Sequence, residues 1–136
     1  MDFNVSSKMA HAEGWIKAYE LIEEGLPVPD NLKKTVLSNR NGIGETMLHW
    51  YTIEGDTHVV ERIIELGFDV NTTNDFRQTP LYECATIDRW EMVELLLKNG
   101  ADPSIKDQED EDIFEHLEFY GKEKQLAKLR ELTSRR

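Results

Sequence analysis

A repeat with a period of 33 residues is the feature of this sequence that most narrows the folds open to it. Residues 41–71 read NGIGETMLHWYTIEGDTHVVERIIELGFDVN and align without a gap on residues 74–104, which read NDFRQTPLYECATIDRWEMVELLLKNGADPS. The residues that recur at this offset include capping, apolar and turn residues: Thr46 and Thr79, Leu48 and Leu81, Val60 and Val93, Gly67 and Gly100, and Asp69 and Asp102. Self-similarity at a fixed period of roughly 20–50 residues is the signature of a stacked array of small units.

Each unit is predicted to be a pair of short helices followed by a turn. Thr46 and Thr79 are placed as N-caps, and Pro80 follows at the first helical position, where its missing N–H costs no hydrogen bond. Apolar residues then recur at helical spacing up to Gly67 and Gly100, which supply the left-handed residue that ends a helix. The pattern predicts helices near 46–54 and 56–66, and near 79–87 and 89–99.

The same register extends in weaker form to both ends of the chain. At the C-terminal end it predicts a capping pair of helices near 112–120 and 122–133, whose outer side chains are charged. At the N-terminal end, residues 6–13 and the segment before Gly25 resemble a degenerate helix pair, and Asp30 caps an extra turn through residues 32–37. We therefore expect one domain over residues 1–136, in which two full repeats lie between two caps: 1–40 (an N-terminal cap with an insertion), 41–73, 74–106 and 107–136 (a C-terminal capping repeat).

Three features at this spacing belong to one known family. They are T-P-L-Y at residues 79–82 in place of T-P-L-H, N-G-A-D at residues 99–102, and the 33-residue helix–helix–turn unit itself. On these residues the sequence resembles an ankyrin-repeat protein, strongly over residues 41–104 and more weakly at both ends. The resemblance implies an all-α solenoid of about four helix–turn–helix units, because two short helices cannot bury their apolar faces alone.

The stretch GETMLHWYTIEG contains a histidine, His49, whose role could be that of a catalytic base, a metal ligand or a structural residue. In the family that this sequence resembles, the histidine of the T-P-L-H segment hydrogen-bonds to the backbone of the adjacent turn. His49 matches that position, and the second repeat has Tyr82 there. A phenol can form the same bridge but cannot act as a base near neutral pH. We therefore expect His49 to be structural, with a base or ligand role as the alternative.

The charge of the chain limits the class of partner. Residues 122–136 contain six basic and two acidic side chains, so they carry +4, and residues 1–121 carry −15 of the formal net charge of −11. Such a surface repels nucleic acid and anionic membranes and attracts a basic protein, although acidity often serves only solubility. We expect a protein partner, no nucleic-acid or membrane partner, and a monomer when no partner is bound.

Cysteine usage and the first residues bear on the compartment. The single cysteine, Cys84, excludes an internal disulfide, suits a reducing compartment and falls at a small core position that favours an inert thiol. The chain opens Met-Asp-Phe-Asn, without the basic and apolar regions of a secretory signal, and its apolar runs are too short to span a bilayer. We expect a cytoplasmic protein.

No motif of an enzyme, metal site or cofactor site stands out. The four histidines are scattered, and the sequence has no glycine-rich phosphate loop and no nucleophile elbow. Asp107, Glu109, Glu111 and Glu118 have an EF-hand-like spacing, but the sixth position, which requires glycine, is Asp112. We therefore expect no catalytic residues, no metal and no cofactor.

The resemblance implies a binding function carried by the turns and by the exposed side of the first helices. By register, the residues that it assigns to partner binding are Ile43, Glu45, Trp50, Ile53, Glu54, Asp75, Phe76, Gln78, Glu83, Ile87, Glu109, Glu111 and Tyr120. Among them, Trp50, Phe76 and Ile87 form an apolar centre within a rim of carboxylates, a composition typical of a binding hot spot. Packing between repeats is the alternative for Trp50 and for Phe119.

These observations favour a non-enzymatic protein–protein interaction protein. For a chain of 136 residues with a cap at each end, we expect no separate effector domain and a function that consists of binding itself. The first hypothesis is therefore an inhibitor that resembles small acidic immunity-type ankyrin proteins of bacteria and neutralises a basic toxin or nuclease. The second is an adaptor or regulatory subunit that tethers a partner without blocking it. An enzyme whose site escapes a motif search is the least favoured.

Overall fold

The computed structural model describes the backbone of residues 13–135 and the side chains of residues 17–34 and 36–135. Over these residues the chain forms eight helices and no strand. In chain order they are α1 (Glu13–Glu24), α2 (Asp30–Ser38), α3 (Met47–Glu54), α4 (Thr57–Glu65), α5 (Pro80–Thr86), α6 (Trp90–Lys98), α7 (Ile113–Phe119) and α8 (Glu123–Ser134). The predicted all-α fold is confirmed, and the three predicted helix pairs form with bounds within one residue of the prediction at each end. Except for Glu13, the predicted helix over 6–13 lies outside the described residues.

The first helix of each pair begins at a capped residue, as the repeat predicts. The N-caps are Thr46, Thr79 and Asp112, spaced by 33 residues. In each case the capping side chain accepts a hydrogen bond from the N–H three residues later, at 3.4 Å, 3.1 Å and 2.9 Å respectively. These bonds satisfy backbone donors that would otherwise lack a partner, so the starts of the helices are encoded locally.

The helix pairs stack in two rows. α3 packs on α5 and α5 on α7, which places the first helices side by side, while α4 packs on α6 and α1 packs on both α2 and α4. The largest fully buried side chains come from every pair: Ile22, Met47, Leu48, Ile63, Leu81, Met92, Leu96, Ile113, Leu117 and Leu129. Full burial of such a side chain is worth about 1.5–3 kcal/mol, so packing within and between the pairs contributes strongly to the stability of the stack.

The turns that precede α3, α5 and α7 are joined edge to edge. The Asp75 N–H donates to the Ile43 carbonyl at 2.9 Å, and the Gln108 N–H donates to the Phe76 carbonyl at 3.0 Å. Each turn is thus fixed by the next one, and the side chains at the tips of the turns are held in a row.

One position of each turn requires a left-handed backbone. Gly44, Arg77 and Asp110, which are spaced by 33 residues, have φ of 77°, 62° and 61°. At Gly44 a side chain would also collide with the next turn, because a Cβ atom there would lie 2.3 Å from Asp75 Oδ1 and 2.8 Å from its backbone nitrogen. Arg77 and Asp110 therefore carry a strain that Gly44 avoids.

The N-terminal segment contains more helix than the sequence predicts. The expected turn over residues 32–37 is part of α2, which begins at Asp30 and packs against α1. Val36 is fully buried there, and its burial gives the extra helix a place in the core. The large Tyr51 side chain of α3 is accommodated at the same end, where its ring lies 5.7 Å from that of Tyr19.

Candidate interaction surface

His49 connects the first two turns from inside the protein. Its side chain is fully buried, its Nδ1 accepts the Thr46 N–H at 3.1 Å, and its Nε2 lies 3.0 Å from the Gln78 carbonyl. Because Nδ1 accepts, the proton must be on Nε2, which donates to Gln78. Burial lowers the pKa of His49 to about 4, so the imidazole is neutral at physiological pH. A group with both nitrogens engaged and no access to solvent is a structural bridge.

Tyr82 forms the corresponding bridge one repeat later. Its hydroxyl donates to Asp107 Oδ2 at 2.5 Å, and both side chains are buried. Asp107 Oδ1 accepts the N–H groups of Glu109 and Glu111 at 2.8 Å and 3.1 Å. Although burial opposes its charge, these donors lower the pKa of Asp107. The phenol thus replaces the imidazole as a bridge between turns, with a carboxylate as its acceptor.

Asparagine side chains hold the other two turns in the same way. Asn41 Oδ1 accepts the N–H groups two and four residues later, at 3.1 Å and 2.8 Å, and Asn74 Oδ1 does so at 2.9 Å and 3.0 Å. Such bonds fix a turn without help from a helix or strand. The residues at the tips, Ile43 and Phe76, are therefore presented on a rigid frame.

Several large apolar side chains are exposed on the turns and first helices. Ile43 is 45% exposed, Phe76 39%, Ile87 46%, Phe119 73% and Tyr120 59%. We call these five residues the apolar row. Ile43 and Phe76 occupy equivalent tips of successive turns, which are joined by a backbone hydrogen bond. Ile87 and Tyr120 occupy equivalent ends of the stacked helices α5 and α7, and the ring of Phe119 contacts that of Tyr120.

Trp50 and Ile53 have a different environment from the apolar row. Both are half-buried, and Trp50 packs against the buried core. Phe119 is 73% exposed. The alternative of packing between repeats therefore suits Trp50 better than Phe119. Only part of the Trp50 side chain is accessible to a partner.

The predicted carboxylate rim is incomplete. Glu54, Asp75 and Glu109 are exposed, and Gln78 and Glu111 are half-buried. Glu45, however, is only 7% exposed, so the expectation that it contributes to an exposed rim is wrong. The reason is local, since Asn41 Nδ2 donates to Glu45 Oε1 at 2.9 Å and draws the side chain inward.

Glu83 is drawn inward by the second turn and meets Glu45. Asn74 Nδ2 donates to Glu83 Oε2 at 2.8 Å, while Glu83 Oε1 is buried and lacks a hydrogen-bond donor. Burial and the hydrogen bond to Glu45 raise the pKa of Glu83 to about 9. The raised pKa favours the protonated form of Glu83 at neutral pH. The pair carries one negative charge fewer than the sequence suggests.

A thiol and a cluster of potential cation ligands are the two further groups to consider for catalysis or metal binding. Cys84 is fully buried, and burial raises the pKa of its thiol to about 12, so it is not a nucleophile. Ligand atoms of Asp107, Glu111 and His116 lie within 4.8 Å of one another, an arrangement that could hold a cation. Asp107, however, already accepts three hydrogen bonds and so has a structural role in this turn.

Basic side chains that clamp the turns were not recognised from sequence. Arg40 donates to the carbonyls of Gly44 and Thr73 at 2.8 Å and 2.6 Å, and to the Thr72 hydroxyl at 3.1 Å. Arg89 donates to the Ile53 carbonyl at 2.9 Å. Arg40 lies just before the aligned segment 41–71, so the comparison of the two repeats gives no reason to single it out.

Within residues 13–135 no helix has both the length and the apolar character needed to cross a membrane.

Comparison with known proteins agrees with this architecture. The family model described as "Ankyrin repeats (3 copies)" matches residues 17–107, about two thirds of the chain. The match covers α1 from residue 17 onward and all of α2, two helices that the repeat alignment defines only weakly.

Similar curated proteins share a segment of this chain. Inactive serine/threonine-protein kinase TEX14 from Bos taurus is 35% identical over 79 residues, which are 58% of this chain and 5% of that protein. ADP-ribosylation factor GTPase-activating protein AGD4 from Arabidopsis thaliana is 33% identical over 64 residues, 47% of this chain and 8% of that protein. Ankyrin repeat, SAM and basic leucine zipper domain-containing protein 1 from Gorilla gorilla gorilla is 30% identical over 78 residues, which are 57% of this chain and 16% of that protein. The chain thus spans a small fraction of the length of these relatives.

Proposed function

This chain belongs to the ankyrin-repeat family, whose repeats mediate protein–protein interaction, and on that premise we propose that the apolar row and the carboxylates around it bind a basic protein. The proposal is carried by one observation: five large apolar side chains are exposed on the turns and first helices of three successive repeats. A patch of this kind exposed to water is typical of an interaction site.

Rigidity supports the proposal. The tips of the turns are joined by backbone hydrogen bonds and are tied to the helices through His49 and Tyr82. A surface that is already ordered loses little conformational entropy when a partner binds, so more of the contact energy contributes to affinity.

Charge supports the basic character of the partner. Residues 1–121 carry a formal net charge of −15. Glu54, Asp75 and Glu109 are exposed near the apolar row, whereas protonation of Glu83 removes one charge from the same region. An acidic rim around an apolar centre steers a basic protein to the site and excludes acidic ones.

For the mode of action, we propose an immunity-type inhibitor that acts in the cytoplasm and neutralises a basic protein such as a toxin or nuclease. Occlusion suits a rigid acidic surface, because a protein that acts on nucleic acid must present a basic one. A tethering adaptor is the second candidate. It is favoured by the relatives, in which the matching segment is 5–16% of much longer proteins.

The test uses two charge reversals that change the net charge equally. Asp75→Lys alters the proposed surface, while Glu61→Lys alters an exposed position of α4 in the other row of helices. The immobilised wild-type protein captures partners, and each captured partner is then measured for binding to both variants. We expect Asp75→Lys to weaken binding by about tenfold and Glu61→Lys to have little effect.

The same partner decides between inhibitor and adaptor. Its own activity is measured with and without an equimolar amount of this protein: loss of activity supports inhibition, and full activity within a stable complex supports tethering. Equal effects of the two charge reversals, or an acidic partner, would contradict the proposed surface.

A further inference from the structure

Four aromatic rings form a continuous series at the C-terminal end of the stack. Ring centroids are separated by 5.2 Å between Tyr82 and His116, by 4.8 Å between His116 and Tyr120, and by 5.0 Å between Tyr120 and Phe119. We call these four residues the aromatic ladder. It runs from buried Tyr82 to Phe119, whose side chain is 73% exposed.

The exposure of the ladder is not explained by packing. Phe119 and Tyr120 are the most exposed large apolar side chains among the described residues. Two adjacent exposed rings are unfavourable in water unless they contact something else.

A carboxylate without an ion pair lies beside the rings. A ligand oxygen of Glu111 is within 4.8 Å of a ring nitrogen of His116, and no basic side chain among the described residues pairs with Glu111. On the same helix Glu115 is paired with Lys106 at 3.6 Å, while Glu118 is exposed. The surface therefore combines aromatic faces with an available negative charge.

We propose that the aromatic ladder and Glu111 receive an arginine side chain of the basic partner. This inference rests on the proposed function and specifies the chemistry that one part of the surface recognises. A guanidinium group is planar, so it can stack on the rings of Tyr120 and His116 while its N–H groups donate to the Glu111 carboxylate. Lysine has no flat face to stack and is more strongly hydrated.

A metal ion fits the same residues less well. It would need Asp107 as a third ligand, and the oxygens of Asp107 already accept hydrogen bonds from Tyr82, Glu109 and Glu111. It would also leave the exposed rings of Phe119 and Tyr120 without a role, whereas an arginine contacts them directly.

The probe is a synthetic peptide of alternating glycine and arginine, compared with peptides that carry lysine or neutral citrulline instead. Binding to the full chain is followed by NMR through the ring signals of His116 and Tyr120. We expect arginine to bind more tightly than lysine and citrulline to bind least. Tyr120→Leu, which keeps apolar area but removes the ring, should weaken the arginine peptide by about 2–5-fold, and Tyr120→Phe should not.

Charge is tested separately. Glu111→Gln should weaken the arginine peptide by about 2–5-fold, whereas the matched change Glu61→Gln on α4 should leave it unchanged. Tyr120 is 59% exposed and Glu111 is half-buried, so these variants are expected to fold.

Three results would overturn the inference: equal binding of the citrulline peptide, unchanged binding to Tyr120→Leu, or saturable binding of Zn²⁺ that requires His116 and excludes the arginine peptide. The outcome is separate from that of the proposed function. If Asp75→Lys weakens binding of the captured partner while the arginine peptide binds Tyr120→Leu as tightly as wild type, the interaction surface is supported without this arginine site.

Discussion

The protonated carboxyl of Glu83 gives a stability that depends on pH in an unusual direction. In the folded protein its pKa is raised from 4.5 to about 9, first by burial and then by Glu45. Between these two pH values the folded state holds a proton that the unfolded chain has released. Stability therefore falls as pH rises through this window, the reverse of the behaviour of a carboxylate held in an ion pair.

The size of the effect follows from the proton. One proton is worth about 1.4 kcal/mol per pH unit, which would amount to about 4 kcal/mol between pH 5 and pH 8 for a fully enclosed group. Glu83 is only partly buried, and solvent screens part of the interaction. We therefore expect the free energy of unfolding to fall by roughly 1–2 kcal/mol over this pH range. Glu83→Gln should remove this loss, because a neutral amide can accept from Asn74 and donate to Glu45 without taking up a proton.

The assay is urea unfolding of the wild type and Glu83→Gln at several pH values from about 5 to about 8. The difference between the two proteins cancels the contributions of other groups, including His49. The control is Glu54→Gln, at an exposed position of α3. We expect the advantage of Glu83→Gln over wild type to grow as pH rises. Parallel stability curves for the two proteins would refute the protonated pair.

Three other changes test the connections between turns. His49→Ala should cost about 1–3 kcal/mol of stability through the lost bridge to Gln78, measured by thermal unfolding together with hydrogen exchange in the first repeat. Because the folded pKa of His49 is depressed, the stability that His49 contributes should be complete above pH 6.5 and fall as pH drops towards 4. Full stability of His49→Ala with loss of partner binding would instead assign His49 a direct role. Tyr82→Phe should cost about 1–3 kcal/mol by urea unfolding, since Asp107 loses its hydroxyl donor; an unchanged midpoint would show that the bond is not needed. Gly44→Ala should cost about 1–3 kcal/mol of stability, because φ at Gly44 is 77° and a Cβ atom there would collide with Asp75. A variant as stable as the wild type would contradict this geometry.

Local features of the repeat were predictable from sequence for a physical reason. Thr46 and Thr79 cap helices through bonds to residues three positions away, so the information lies within each segment. The role of His49 was also inferred correctly, but only through the family resemblance, because its acceptor belongs to a different repeat. The predicted division into units at 40, 73 and 106 remains a prediction.

Features that depend on two repeats at once were harder to predict. Glu45 and Glu83 are 38 positions apart in the sequence, and only the stacking of α3 and α5 brings their carboxyl groups together. The same holds for the aromatic ladder, in which Tyr82 of one pair meets His116 of the next. Sequence register identifies which residues face a given side, but it does not specify how deeply each side chain is buried.

The measurement that most directly tests the central claim is the association rate of the captured basic partner as a function of salt. The account predicts that association slows as sodium chloride rises from about 0.05 M to about 0.5 M, and that Asp75→Lys and Glu109→Lys each slow it further at low salt. Phe76→Ala should instead accelerate dissociation, by about tenfold, with little change in association. An association rate that is insensitive to salt and to both charge reversals, together with unchanged dissociation in Phe76→Ala, would contradict binding through this surface.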